Sequence, residues 1–231
     1  MSDWSLNFSA DPESARLFPI PGLVMFPHVM QPLHVFEHRY RALLADALHD
    51  DQLIALPVFA SGEKEITSLP PLEPVACLTK IVSHQKLADG CSNLLVIGVA
   101  RVRLCAELPA WEPYRRAEVV ALEEQEPSGS EVQRQKLRDI LLAAFKKHLA
   151  SEIEDLSCLD GLLDRDLSLA VLTDLIAHTL PLDMELKVQL LAETDVEHRA
   201  AILQQRLCEP MLRSTRPLTP AGVFPPDFSV N

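Results

Sequence analysis

Aromatic residues make up only 5% of the chain, so its core must be filled mainly by aliphatic side chains. Cations are also scarce: 21 Lys and Arg stand against 33 Asp and Glu, for a formal charge of -12. Such a surface repels phosphate backbones unless its few cations cluster. Neither half is a basic module, with 10 Lys/Arg against 17 Asp/Glu in residues 1–126 and 11 against 16 in 127–231. Nucleic acid is therefore a poor expectation. No apolar run reaches the ~18–20 residues needed to span a bilayer. The opening Met1-Ser2-Asp3-Trp4-Ser5 has no charged segment leading into an apolar one, so neither a signal peptide nor a membrane partner is expected. The five cysteines (Cys77, Cys91, Cys105, Cys158, Cys208) are odd in number, widely spaced and without a CxxC pair. They read as reduced thiols of a cytoplasmic protein. There is no Gly-Lys dipeptide, hence no GxxxxGK[ST] phosphate cradle, and no GxSxG turn for a nucleophilic serine.

What is present is globular: 231 residues, 48% hydrophobic and 23% charged, enough for one large domain or two small ones. The two halves differ in period. Residues 16–122 read as short strands: an apolar run at 53–59, another at 75–82, and a third that begins solidly apolar at Leu94. This third run then alternates, with Val102 and Leu104 opposite Arg101 and Arg103, as a strand does when it leaves a core for a half-exposed face. Asp89-Gly90 supplies a hairpin turn, and 114–122 is a further strand. Evenly spaced strands with short turns suggest a closed or nearly closed barrel. One helix interrupts it, with Phe36, Tyr40, Leu43, Leu44, Ala47 and Leu48 at helical spacing.

Residues 123–131 are polar and aperiodic and read as a linker. Beyond them Leu137, Ile140, Leu141, Ala144, Phe145 and Leu149 form one helical stripe. Leu167, Val171, Leu172, Leu175 and Ile176 form a second, and Met184, Val188 and Leu191 a third. Ala200, Leu203 and Leu207 mark a fourth helix. Ser128 with Glu131, and Thr194 with Glu197, fit capping boxes. Short connections imply an antiparallel bundle. The expected organisation is α+β: a barrel with one inserted helix over 15–122, a linker at 123–131, a helical bundle over 132–208, and an extended Pro-rich tail over 209–231. Val223, Phe224 and Phe228 would either dock that tail on the body or leave it as a partner-binding arm.

The stretch Leu17-Phe18-Pro19-Ile20-Pro21-Gly22-Leu23-Val24-Met25-Phe26-Pro27, followed by Gln31-Pro32-Leu33-His34-Val35-Phe36-Glu37-His38-Arg39-Tyr40-Arg41, closely resembles the opening of the Lon protease N-terminal domain. Asp89-Gly90, Gly98 with Val99-Ala100-Arg101-Val102, Pro113-Tyr114, and Lys187 to Leu191 continue the likeness, which covers about residues 15–208. The resemblance implies a PUA-like β-barrel followed by a helical bundle. It also implies a non-catalytic module that recognises unfolded or damaged polypeptides and works beside a protease or chaperone system. Cofactors are not implied. With neither a P-loop nor a protease segment in the sequence, the expectation is a free-standing recognition domain.

Three groups of residues could carry chemistry. His34-Val35-Phe36-Glu37-His38 matches a zinc-protease HxxEH pattern. Pro32, however, puts His34 at or before the first helical turn, so a packed junction residue is the better reading than a metal ligand. Arg101, Arg103, Arg115 and Arg116 would suit RNA if they clustered, but Glu107, Glu112 and Glu118 stand ready to pair with them. The apolar, loop-like run from Val24 to Pro32 carries two methionines, which adapt to varied partners. Phe26, Val29 and Met30 are the candidate peptide-binding residues, with core filling as the competing role. A dedicated adaptor for one folded partner is the alternative function, and an RNA-binding barrel a remoter one.

Overall fold

Leu94 to Leu104 belong to one long strand, and the rest of the first unit is built around it. A computed structural model describes residues 13–60, 70–109, 111–125, 129–152, 167–208 and 229–230. The strands are β1 (Glu13–Arg16), β2 (Met30–Val35), β3 (Leu53–Phe59), β4 (Leu72–Lys86), β5 (Ser92–Glu107), β6 (Arg116–Leu122) and β7 (Ser229–Val230). The helices are α1 (His38–His49), α2 (Glu131–Glu152), α3 (Leu169–Thr179), α4 (Met184–Ala192) and α5 (Val196–Cys208). They fall into two compact units. One holds β1–β7, α1 and α4; the other holds residues 123–125 with α2, α3 and α5.

In the strand unit β5 is the hub. Its first half pairs antiparallel with β2, its second half with β6, and β4 runs beside most of its length. β6 in turn pairs with β1, and β4 with β3. The sheet curls until its ends meet: Leu17 bridges Ala55, and the Phe18 amide donates to the Ala55 carbonyl at 2.8 Å. The interior at that closure is lined by Ala15, Ala55, Ala76 and Ala117 with Leu17, Leu78, Val102 and Val119. Small side chains let strands on opposite sides of the curl approach closely, which is how a core so poor in aromatics still closes.

The turn between β4 and β5 is as read from Asp-Gly: Gly90 has φ +84°, and the Leu87 amide donates to the Cys91 carbonyl at 2.9 Å. Two expectations in this unit are corrected. Met30-Gln31-Pro32 is strand, not loop. Pro32 is tolerated because β7 pairs with β2 only at Leu33 and His34, so the missing N–H breaks no ladder there among the described residues. Phe36 precedes α1, which begins at His38.

The helix α4 belongs with the strands rather than with the other helices. It packs on β4, burying Leu186, Leu190 and Leu191. The buried Arg101 of β5 donates from Nε to the Leu191 carbonyl at 3.0 Å. That carbonyl lies in the last turn of α4, where no intrahelical donor is left and a cation is favoured.

In the helical unit, α2, α3 and α5 pack on one another through Leu141, Phe145, Leu172, Ile176, Ala200 and Leu203. The caps lie near the expected positions but not on them. Ser130 and Gln133 form the box that opens α2: the Gln133 amide donates to Ser130 Oγ (3.3 Å) and the Ser130 amide to Gln133 Oε1 (3.0 Å). Asp195, not Thr194, caps α5, accepting from the amides of Glu197 (2.8 Å) and His198 (3.1 Å). Overlapping Ser/Thr/Asp patterns let either register satisfy the motif, and packing chooses. Buried Arg199 is the polar centre of the unit. It donates to Glu124 Oε1 at 2.5 Å and to the Glu193 carbonyl at 2.8 Å, and it lies 3.9 Å from the buried Asp174 carboxylate. The tail residues 209–228, with Val223, Phe224 and Phe228, lie outside the described residues.

Candidate functional site

The segment from Val24 to Val29 is core. Phe26 has 0% and Val29 6% of its surface exposed, and Val24 and Met25 are buried as well. The segment is pinned to β5 at Gly98, where the His28 amide donates to the Gly98 carbonyl and the Gly98 amide to the Val29 carbonyl, both at 2.9 Å. His28 takes φ +65° to make that approach. Of the three residues expected to bind peptide, only Met30 presents its side chain to solvent, at 53% exposure. The segment packs against a glycine, so its apolar side chains turn inward, while His28 remains exposed.

Met30 does not stand alone. The register pairs it with Ile97, Pro32 with Leu95, and His34 with Asn93. Directly opposed residues share a face and successive ones alternate. Leu33, Leu94 and Val96 fill the inner face, so Met30, Pro32, Leu95 and Ile97 form a contiguous outward strip across β2 and β5. Leu95, Ile97 and Pro32 are half-buried. At one end His34 Nδ1 and Asn93 Oδ1 share a hydrogen bond of 2.8 Å, and the exposed Phe36 ring stacks on the His34 ring at 6.1 Å. The result is an apolar strip closed at one end by a polar pair. Leu95 and Ile97 were not singled out in the sequence. They sit in a run that reads as uniformly buried, and only pairing with β2, some 65 residues earlier in the chain, shows which alternate positions face outward.

The other candidate chemistries come apart in the structure. His34 lies in β2 and His38 opens α1, so HxxEH is not a helical turn. Among the described residues no group of three or more His, Cys, Asp or Glu could hold a metal ion. Cys77 is fully buried, and the Cys91 thiol is pushed up by desolvation and then by Asp89. The arginine cluster is dispersed. Arg101 is buried under α4, Arg115 is ion-paired to Glu107, and Arg116 lies 3.4 Å from Glu112.

A cleft of about 290 Å³ lies beside α1 between Tyr40 and Tyr114. Phe18 packs on Tyr40 with centroids 4.4 Å apart, and the Tyr114 hydroxyl donates to Asp46 Oδ2 at 2.6 Å. Desolvation, followed by the hydrogen bond and charge of Asp46, pushes the Tyr114 phenol up to about 12. Trp111, on the adjoining loop, is largely exposed.

Residues 14–209 match the family described as the ATP-dependent protease La (LON) substrate-binding domain. Lon protease 2 of Herpetosiphon aurantiacus is 32% identical over 185 residues, which is 79% of this chain and 22% of that protein. Lon protease 2 of Myxococcus xanthus is 28% identical over 208 residues, 87% of this chain and 24% of that one. The chain thus spans about a quarter of the length of these relatives. Two solved structures share the fold: the Lon N-terminal domain protein from Xanthomonas campestris (TM-score 0.62, 22% identity, covering 84% of this chain and 98% of that one) and the N-terminal domain of Mycobacterium avium complex Lon protease (0.64, 18%, 86% and 100%).

Proposed function

The chain belongs to the family of the Lon substrate-binding domain, and from that premise we propose that it is a non-catalytic module that binds exposed hydrophobic segments of unfolded or damaged polypeptides. The observation that carries this reading is the strip of Met30, Pro32, Leu95 and Ile97 on the outer face of β2 and β5. An extended client segment laid across it would bury apolar surface at roughly 25 cal/mol per Å². Met30 supplies an adaptable thioether contact that tolerates different side chains. Such a strip reads hydrophobicity rather than sequence, as recognition of damaged proteins requires. The protein would work in the cytoplasm beside a protease or chaperone system.

The test is a titration of a permanently unfolded protein and its folded counterpart at low and high salt. Salt-tolerant binding of the unfolded form alone, weakened by Met30→Asp, is the expected result. Binding to neither form would remove this reading and favour a dedicated adaptor for one folded partner.

A further inference from the structure

A second surface on the strand unit has a different character. Between α1 and the β4–β5 turn lies a groove of about 490 Å³, in the size range of ligand-binding clefts. Leu44 and Leu48 with the small side chains of Ala42 and Ala45 make its apolar wall. Two exposed cations line it, Arg41 from α1 and Lys86 from β4, beside the exposed imidazoles of His38 and His84. Among the described residues no carboxylate lines it, although the chain carries 33 Asp and Glu against 21 Lys and Arg. The nearest acidic groups in sequence are otherwise engaged. Glu37 accepts from Arg39 Nε at 2.7 Å, Asp46 from the Tyr114 hydroxyl at 2.6 Å, and Asp89 from the Cys91 amide at 2.9 Å. His84 is held over the groove by Ser92, with Nε2 and Oγ 3.3 Å apart. Arg41 leans on the turn, its Nη1 3.4 Å from the Gly90 carbonyl.

We propose that this groove between α1 and the β4–β5 turn binds acidic segments of extended polypeptide, with carboxylates on Arg41 and Lys86 and the intervening apolar side chains on Ala42, Ala45 and Leu48. This deepens the client-binding reading and rests on it: the strip selects apolar segments, and the groove selects those that carry negative charge. The wall is aliphatic, and among the described residues no Phe, Tyr or Trp lines the groove to stack a base, which favours a polypeptide over a single-stranded nucleic acid. Charge complementarity at such a surface acts on specificity and on the rate of encounter, and falls with salt.

The full-length protein is titrated with three labelled peptides of one length, alternating Leu with Glu, Gln or Lys, at about 50 and 300 mM salt, and with a single-stranded oligonucleotide. The Leu/Glu peptide is expected to bind about tenfold tighter than the Leu/Gln peptide at low salt and to lose most of that margin at high salt. Arg41→Glu with Lys86→Glu should abolish the margin, and the neutral pair Arg41→Gln with Lys86→Gln should reduce it. Both positions are exposed, and the folding of each variant is to be checked by circular dichroism. The uncharged variant Met30→Gln should weaken all three peptides while leaving the Glu-over-Gln ratio intact, which separates this site from the strip. Equal binding of the Glu and Gln peptides, a margin unchanged in the charge-reversed variant, or an oligonucleotide that competes for the groove would overturn the proposal.

Discussion

Gly98 lies so close to Phe26 that a Cβ placed on it would sit 2.1 Å from the Phe26 carbonyl oxygen. The same atom would meet the Phe26 carbonyl carbon at 2.8 Å and Pro27 Cα at 2.9 Å. All three are backbone atoms, so nothing flexible can move aside. Gly98→Ala should therefore push the 24–29 segment off β5 and cost about 3 kcal/mol, the upper end of ordinary overpacking penalties. Urea unfolding measures it, and a change below about 0.5 kcal/mol would contradict the packing described.

The exposure difference between Met30 and Phe26 separates affinity from stability. Met30→Asp should leave the unfolding midpoint nearly unchanged and weaken binding of an unfolded client about tenfold, or ~1.4 kcal/mol. Phe26→Ala should cost about 3–5 kcal/mol of stability through the cavity it leaves, with little direct effect on affinity once the remaining folded fraction is accounted for.

Arg199 is the cation on which the helical unit turns, with 1% of its side chain exposed and Glu124, Asp174 and the Glu193 carbonyl around it. Removing one member of such a buried group typically costs about 3–5 kcal/mol, because it leaves buried charge uncompensated. Arg199→Met is expected to destabilise α2, α3 and α5, seen as early loss of hydrogen-exchange protection there. Arg199→Met combined with Asp174→Leu should recover part of the loss. No recovery would mean that Asp174 draws nothing from Arg199.

Tyr114 gives a pH test with a definite sign. Its folded pKa is raised to about 12 from an ordinary value of 10.0. The stabilisation it represents is thus fully present below pH 10 and is lost as pH climbs from 10 towards 12, up to about 2–3 kcal/mol in total. The stability advantage of the wild type over Tyr114→Phe should shrink across that window. The chain has two tyrosines, so the 295 nm absorbance of the variant reports the raised Tyr40 phenol alone. A gap that stays constant between pH 10 and 12 would show that the Asp46 hydrogen bond does not hold the phenol protonated.

Much of the fold is legible in short-range patterns. The 94–104 run, the Asp89-Gly90 turn and the four helical stripes each announce their element because a strand or helix repeats over a few residues. The candidate site is less legible. Phe26, Val29 and Met30 are close neighbours in sequence and chemically alike, yet two are core and one is surface. The division follows from the contact at Gly98, about 70 residues later, which no local period encodes. The helix α4 likewise has a helical pattern that fits a bundle, but Arg101 holds its last turn to the strand unit.

The amino-acid sequence by itself determined the strand-then-helix order, the scarcity of positive charge and the family likeness, because composition, period and a contiguous motif are properties of neighbouring residues. Tertiary structure alone decided which apolar side chains reach solvent. Exposure depends on strand register, and pairing β2 with β5 put Met30 and Pro32 beside Leu95 and Ile97 on the outer face. It also decided where charge collects. Arg41 and Lys86 share a groove only because α1 lies against the β4–β5 turn, a placement set by the burial of Tyr40, Leu43, Leu44 and Ala47 rather than by the cations themselves.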